Sequence, residues 1–254
     1  MRALPCSLRF RAFGGARGKW EIGRQPQDAR LAGGLRALPA SCEVVCPLSA
    51  EASIVCEWNP RVIGPGASCV EGLRPLASSR YRRILVLGLA GGLTSSASSG
   101  TVFRVRSVRN HLGEPVFRQP AVGCFGVGAD LAEADIACVD HVAESPVAKA
   151  ELARRSGCQL VDMESAHVAT WCATQGWEWA MIRVVLDGPD ESLPQGIGRW
   201  CRQDGGMNYA GMFLSLLFNP GSILSIPALA RSRAVAGKSL RQALGLQAGV
   251  KGRT

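Results

Sequence analysis

Three carboxylates stand where an apolar run gives way to a loop: Glu51 in "CPLSAEA", Glu164 in "LVDMESAHVA" and Asp187 in "MIRVVLDGPD". A protonated carboxyl can give up a proton, and an ionised one can take a proton or hold hydroxyl groups. Three acids in one crevice would therefore equip it for acid–base work. Taken singly, each has a plainer reading. Glu164 suits the start of the helix that follows it, and Asp187 can open the turn "DGPD". Three acids at corresponding strand ends favour a shared crevice, but their spacing alone names no reaction.

The elements that must position them alternate. "RRILVLGLAGGL" (82–93) is a charge-anchored apolar run ending in glycines, as a buried parallel strand opening into a ligand-side loop would be. A shorter strand is expected over 43–48, a turn at "GPG" (64–66) and a helix over 68–77. "AVGCFGVG" and "ADIACVDHV" read as strands and "SPVAKAELARRSG" as a helix, with Ser145 as its N-cap, Pro146 at its first position and Gly157 just past its end. "CQLVDM" is a strand, "ESAHVATWCATQG" a helix and "EWAMIRVVLDGPD" the last core strand. This order predicts an α/β domain with a mostly parallel sheet, whose ligands gather at the strands' carboxyl ends.

Composition narrows the classes. The net charge of +9 belongs to the ends: residues 1–40 carry +6, residues 231–254 another +6, and 41–230 a net of −3. A nucleic-acid-binding body is thereby disfavoured. The ten cysteines show no CxxC pair and only three histidines accompany them, so they read as reduced structural thiols, with no metal and no cofactor. Residues 1–40 lack sustained periodicity and the continuous apolar stretch of a signal peptide; they read as a disordered basic extension. The catalytic domain is expected over 41–220 and a basic amphipathic tail over 221–254. The run "MFLSLLF" (212–218) is too short to span a bilayer.

"VLGLAGGL", "LVDMESAHVA" and "MIRVVLDGPD", in that order, resemble the nucleoside phosphorylase and nucleosidase superfamily, which includes the methylthioadenosine/S-adenosylhomocysteine nucleosidases. The resemblance covers roughly 43–190, with one long gap. It implies a three-layer α/β/α fold around a central, mostly parallel mixed sheet. It implies that Glu164 accepts hydrogen bonds from ribose hydroxyls with Met163 packed beside the sugar, that Asp187 protonates N7 of the departing purine, and that Glu51 activates the attacking water. Gly91 and Gly92 would let the backbone close on the ligand, and Val142 and Ala143 lie near the groups that grip the base. The chemistry suits N-glycosidic cleavage, in which the sugar becomes cationic and the purine anionic. An acid serving there must stay protonated near neutral pH, so an apolar or acid-shared setting is expected for Asp187.

Phosphorylases need cations and backbone donors for phosphate. Here Glu51 stands where phosphate would enter, and Arg183 is the best remaining cation, with a structural role in its strand equally open. Hydrolysis of the adenine–ribose bond is therefore favoured over phosphorolysis. "CPLSAEASIV", "VIGPGAS", "PVAKAELARRSG" and "VVLDGPDESLP" further resemble the hopanoid-associated branch, which implies adenosylhopane as substrate. A methylthioadenosine/S-adenosylhomocysteine nucleosidase, a purine nucleoside phosphorylase and a nucleoside-binding module without turnover stand as alternatives. The expected partner is a small or lipid-linked purine nucleoside, with no nucleic acid, and the family implies a homodimer. The tail either packs its apolar face on the domain or meets an anionic membrane from the cytoplasm. His167 and Trp171 either pack in the core or narrow the pocket.

Overall fold

The computed structural model describes residues 42–118 and 130–246. The basic extension of residues 1–40 and the strand expected in "AVGCFGVG" lie outside these residues. The strands β1 (Glu43–Cys46), β2 (Arg61–Val62), β3 (Arg83–Gly92), β4 (Val102–Arg109), β5 (Pro115–Arg118), β6 (Ala132–Cys138), β7 (Leu160–Asp162) and β8 (Glu178–Asp187) form one mixed sheet. Its order is β2-β1-β3-β7-β6-β4-β5, and β8 pairs with both β3 and β4, so β3, β7, β6, β4 and β8 close into a ring. The β1–β2, β1–β3, β3–β8, β4–β6 and β6–β7 pairs are parallel; β3–β7, β4–β5 and β4–β8 are antiparallel.

The apolar run of β3 is continuous because both of its faces are covered. Ile84, Val86 and Ala90 join one buried cluster with residues of α2 (Cys69–Leu73) and α4 (Ser165–Gln175). Leu85 and Leu87 face the other way, into a cluster with Ala236, Leu240 and Leu244 at the C-terminal end. The first two of these belong to α6 (Ile226–Ala243), which packs on β8. The basic tail helix thus spends its apolar face on the core, the first of the two uses expected of it. Buried thiols such as Cys46, Cys69 and Cys172 sit in the same clusters as small apolar groups.

The helix α3 (Pro146–Ser156) has the expected ends. The Ser145 hydroxyl accepts from the Ala148 amide at 3.2 Å, and Gly157 ends the helix in the left-handed region at φ 63°. Over 68–77, by contrast, the chain is broken. α2 covers only five residues, and a 3-10 turn, Arg74–Ser78, follows it. Pro75 has no amide hydrogen with which to continue an α-helix. The sequence reading assigns no element to 100–118, where β4 and β5 lie. There Arg104, Arg106 and Arg109 interrupt the apolar pattern, and their charges are met on β6: Arg104 by Glu133, and Arg106 and Arg109 by Asp135.

Leu240→Ala should lower the unfolding free energy by about 3 kcal/mol, because it opens a cavity between α6 and β8. Leu224→Ala, at a side chain left in solvent, should change it by less than about 0.5 kcal/mol. Urea unfolding of the two variants checks both values.

Candidate active site

Each acid of the sequence reading lies at the carboxyl end of a strand or just beyond it, and a local feature of the backbone aims it. Glu51 belongs to the short helix α1 (Ser49–Ala52), directly after β1. Its carboxylate accepts from the Leu48 amide at 2.8 Å and from the Leu89 amide of β3 at 2.7 Å. Glu164 occupies the N-cap position of α4, yet its carboxylate does not cap that helix. It turns instead to the "IGPGA" loop and accepts from the Gly66 amide at 2.8 Å. Gly66 has φ +56°, a conformation natural to glycine, which brings that amide to the carboxylate. The helix start is held by Asp162, whose Oδ1 accepts from the Ser165 hydroxyl at 2.6 Å and the Ser165 amide at 3.2 Å.

Asp187 is delivered by an irregularity. Ala90 pairs with Val185 but Gly91 pairs with Asp187, so Leu186 is looped out of register and Asp187 lies beside Gly91. A Cβ on Gly91 would stand 2.9 Å from Val161 and 3.7 Å from the Asp187 carboxylate. The turn after Asp187 is tied by Glu191 at the Gly188 amide, which leaves the Asp187 side chain for the interior.

One guanidinium serves three of these acids. Arg183 of β8 is fully buried, donates to Asp162 Oδ2 at 2.6 Å, and lies 3.9 Å from Glu164 Oε2. Its room comes from Gly88, its partner on β3: a Cβ there would meet Arg183 Nη1 at 2.1 Å and Glu51 Oε1 at 2.9 Å. Burial raises the Glu51 carboxyl above its ordinary range, while Arg183 and two amide donors oppose the rise. Burial, reinforced by Asp162, pushes Glu164 up to about 8, again against Arg183.

Behind Asp187 stands Lys149 of α3, which the sequence reading did not single out. It is fully buried, 2.5 Å from Asp187 Oδ2, and it donates to the carbonyls of Gly188 and Glu191 at 2.6 Å each. Three acceptors around one nitrogen match the three hydrogens of an ammonium. Burial raises the Asp187 carboxyl and Lys149 opposes it, with the rise prevailing. The apolar setting expected for Asp187 is present, but its charged neighbour is an ammonium rather than a second acid. A helical lysine three residues after Pro146 gives no sign, in sequence, of facing a strand end 38 residues later.

The acids line one cavity of about 280 Å³. Glu51, Met163, Glu164, Asp187, Gly91, Val142 and Ala143 all border it, and so does Asp162. Gly92 does not; its open side faces the Ala97 carbonyl, 1.9 Å from where a Cβ would stand. Leu193, Ile197, Gly198 and Cys201 supply a wall that the sequence reading did not foresee. Trp171 is core, edge-on to Trp177 with ring centres 5.2 Å apart. His167 borders a neighbouring cavity that shares Pro65, Met163 and Cys201 with the first. Among the described residues no cluster of three or more His, Cys, Asp or Glu is placed to hold a metal ion.

The architecture is the mixed α/β fold of nucleoside phosphorylases and nucleosidases, as comparison with solved structures shows. The chain superposes on the Chlamydia trachomatis nucleosidase MTAN bound to MTA with a TM-score of 0.52 at 16% identity, covering 80% of this chain and 94% of that one. The 5'-methylthioadenosine/S-adenosylhomocysteine nucleosidase of Helicobacter pylori with butyl-thio-DADMe-Immucillin-A gives 0.51 at 15%, covering 80% and 97%. The native futalosine hydrolase of the same organism gives 0.51 at 14%, covering 80% and 96%. In sequence, residues 126–212 match the model of the phosphorylase superfamily. No curated protein matches the chain.

Lys149→Met strands a buried carboxylate and should cost about 3–5 kcal/mol of stability by urea unfolding. Adding Asp187→Asn to that variant should restore part of the loss. Glu164 gives a pH signature. Its carboxyl rises from 4.5 to about 8 on folding, so over that window the folded chain binds more protons than the unfolded one. The favourable contribution is complete below the lower value and is lost as pH rises through the higher one. The melting temperature of the wild type should therefore fall relative to Glu164→Gln between about pH 5 and about pH 8, as thermal unfolding across that range would show.

Proposed function

We propose that this chain is a nucleosidase that hydrolyses the N-glycosidic bond of an adenosine derivative. The observation that carries the reading is the lining of the cavity. It holds Glu51, Asp162, Glu164 and Asp187, and among the described residues no Lys or Arg borders it. Arg183 and Lys149 stand behind the carboxylates. A phosphate dianion would meet carboxyl groups where it needs cationic donors, whereas an ionised Glu51 can orient and deprotonate water there. A module that only binds needs an acid at the ribose; it does not need Glu51 and Asp187 in the same cavity.

In the proposed reaction the C1′–N9 bond breaks and its electron pair moves into the purine. Asp187, backed by the Lys149 ammonium, supplies a proton to N7. Glu164, which must give up its proton to act, accepts from ribose hydroxyls and opposes the cationic charge that grows on the sugar. Water adds to C1′ and gives its proton to Glu51, whose raised pKa makes it a stronger base. The products are free purine and ribose derivative. Glu51 must be ionised and the Asp187–Lys149 pair must hold its proton, so the rate should fall on both sides of an optimum.

The substrate we favour is adenosine with a large apolar 5′ substituent, as in adenosylhopane. The apolar lining supports it, with Leu89, Val142, Leu186, Leu193 and Ile197 around the acids, as does the resemblance of "CPLSAEA" and "IGPGA" to the hopanoid-associated branch. The solved nucleosidases named above favour methylthioadenosine or S-adenosylhomocysteine as the second reading.

Asp187→Asn should lower adenine release by about 10²–10⁴-fold while retaining nucleoside binding, read by adenine release and by ligand titration. Adenine release should be the same with and without phosphate. Incubating the chain with adenosylhopane and with methylthioadenosine, and analysing the sugar product, tests both points. A sugar 1-phosphate would overturn hydrolysis, and release from methylthioadenosine alone would overturn the lipid substrate.

A further inference from the structure

The helix α5 (Tyr209–Phe218) and the 3-10 turn Pro220–Ser225 expose an unusual run of large apolar side chains. Tyr209, Phe213, Leu217 and Phe218 are each more than 60% exposed, Ile223 about half, and Leu224 86%. A patch of this extent marks a surface that something covers. The stretch is held in place. Trp200 Nε1 donates to the Ser215 hydroxyl at 2.6 Å, and the Gln195 amide donates to the Ser222 hydroxyl at 3.1 Å.

Charge says what covers it. After Asp204 the sequence contains no Asp or Glu. The helix α6, continuous with this turn, exposes Arg231, Arg233 and Lys238. A two-fold contact through this stretch would set like surfaces together, bringing these cations toward their own copies, and the stretch itself carries no acid to meet them. An anionic bilayer offers an apolar interior to the aromatic and leucine side chains and phosphates to the cations. The arrangement of the helices favours lying on the bilayer over crossing it. No single helix among the described residues is long and apolar enough to span, α5 meets the Pro220–Ala243 segment at 117°, and α6 buries Ala236 and Leu240 in the core.

We propose that α5 and the turn after it dock on the surface of an anionic phospholipid bilayer. Phe213, Leu217, Phe218 and Leu224 enter the boundary between headgroups and acyl chains, and Arg231 and Lys238 meet lipid phosphates. The docking does not depend on the reaction proposed above. If that reaction holds, it has a use, because the elements that dock also carry the 193–201 wall of the cavity, and a nucleoside borne by a lipid would reach the acids without crossing bulk water.

The experiment is co-sedimentation of the full chain with vesicles of phosphatidylcholine containing about a third phosphatidylglycerol, alongside pure phosphatidylcholine vesicles. The wild type should pellet with the anionic vesicles and be released by salt. Phe213→Ser combined with Phe218→Ser should weaken partition by at least about tenfold, with the circular dichroism spectrum unchanged. Arg231→Glu combined with Lys238→Glu should do the same while leaving the apolar patch intact. Partition that ignores lipid charge and salt, or that survives both double variants, would overturn the proposal. So would a wild-type dimer that Phe213→Ser and Phe218→Ser dissolve, since the patch would then belong to a second copy. Vesicle binding is read without turnover, so its failure is distinct from failure of the nucleosidase reading.

Discussion

The site depends on one buried guanidinium. Arg183 sits on β8, the strand that closes the ring, shielded from water, with Asp162 bonded to it and Glu51 and Glu164 within its field. Without it, three carboxylates would share a low-dielectric interior, and ionising them together would be prohibitively costly. With it, Asp162 is held as an ion-pair partner, and the rise that burial imposes on Glu51 and Glu164 is opposed, which leaves Glu164 at about 8. A carboxyl group in that range can change protonation during a reaction at ordinary pH, which a solvated acid near its usual value cannot do well.

The backbone around that interaction is shaped to admit it. Gly88 leaves the volume that the guanidinium and Glu51 occupy, Gly66 turns an amide onto Glu164, and the register shift at Gly91 brings Asp187 level with the pocket. Close packing makes these requirements strict, because an added methyl at Gly88 would have no space that Arg183 does not already fill. The second charged pair, Lys149 with Asp187, repeats the logic at the other strand end: a buried acid, a buried cation behind it, and backbone carbonyls that use up the remaining ammonium hydrogens. In both places the cation is kept out of the cavity, so the surface offered to a ligand is acidic and apolar.

The outer elements divide the apolar sequence of the C-terminal third between two tasks. The buried stripe of α6 belongs to the core, while α5 and the turn after it leave theirs outside. Composition sets them apart in part, since α5 and the turn after it carry no charged residue while α6 carries Arg231, Arg233, Lys238 and Arg241. In the fold they differ in what they cover: α6 lies on β8, while α5 packs on the Ile197–Trp200 turn at the cavity wall and on the Pro220–Ser225 turn.

Much of this was legible in the residues themselves. The long runs of β3 and β8, the caps of α3, the order of strands and helices and the acids at strand ends follow from local pattern, because hydrophobic period, proline and glycine act over a few residues. The same local pattern placed Glu51, Glu164 and Asp187 as candidates and left Arg183 undecided between site and strand. It passed over β4, whose arginines are compensated only by Glu133 and Asp135 on a neighbouring strand, and over Lys149, whose partner is 38 residues away. The assignment of Gly92 to the pocket, the closure of the ring through β8 and the exposure of α5 likewise turned on which elements meet. Periodicity states which side of an element is apolar. What that side faces is decided by the tertiary structure, where burial, register and the distance between charges first acquire values.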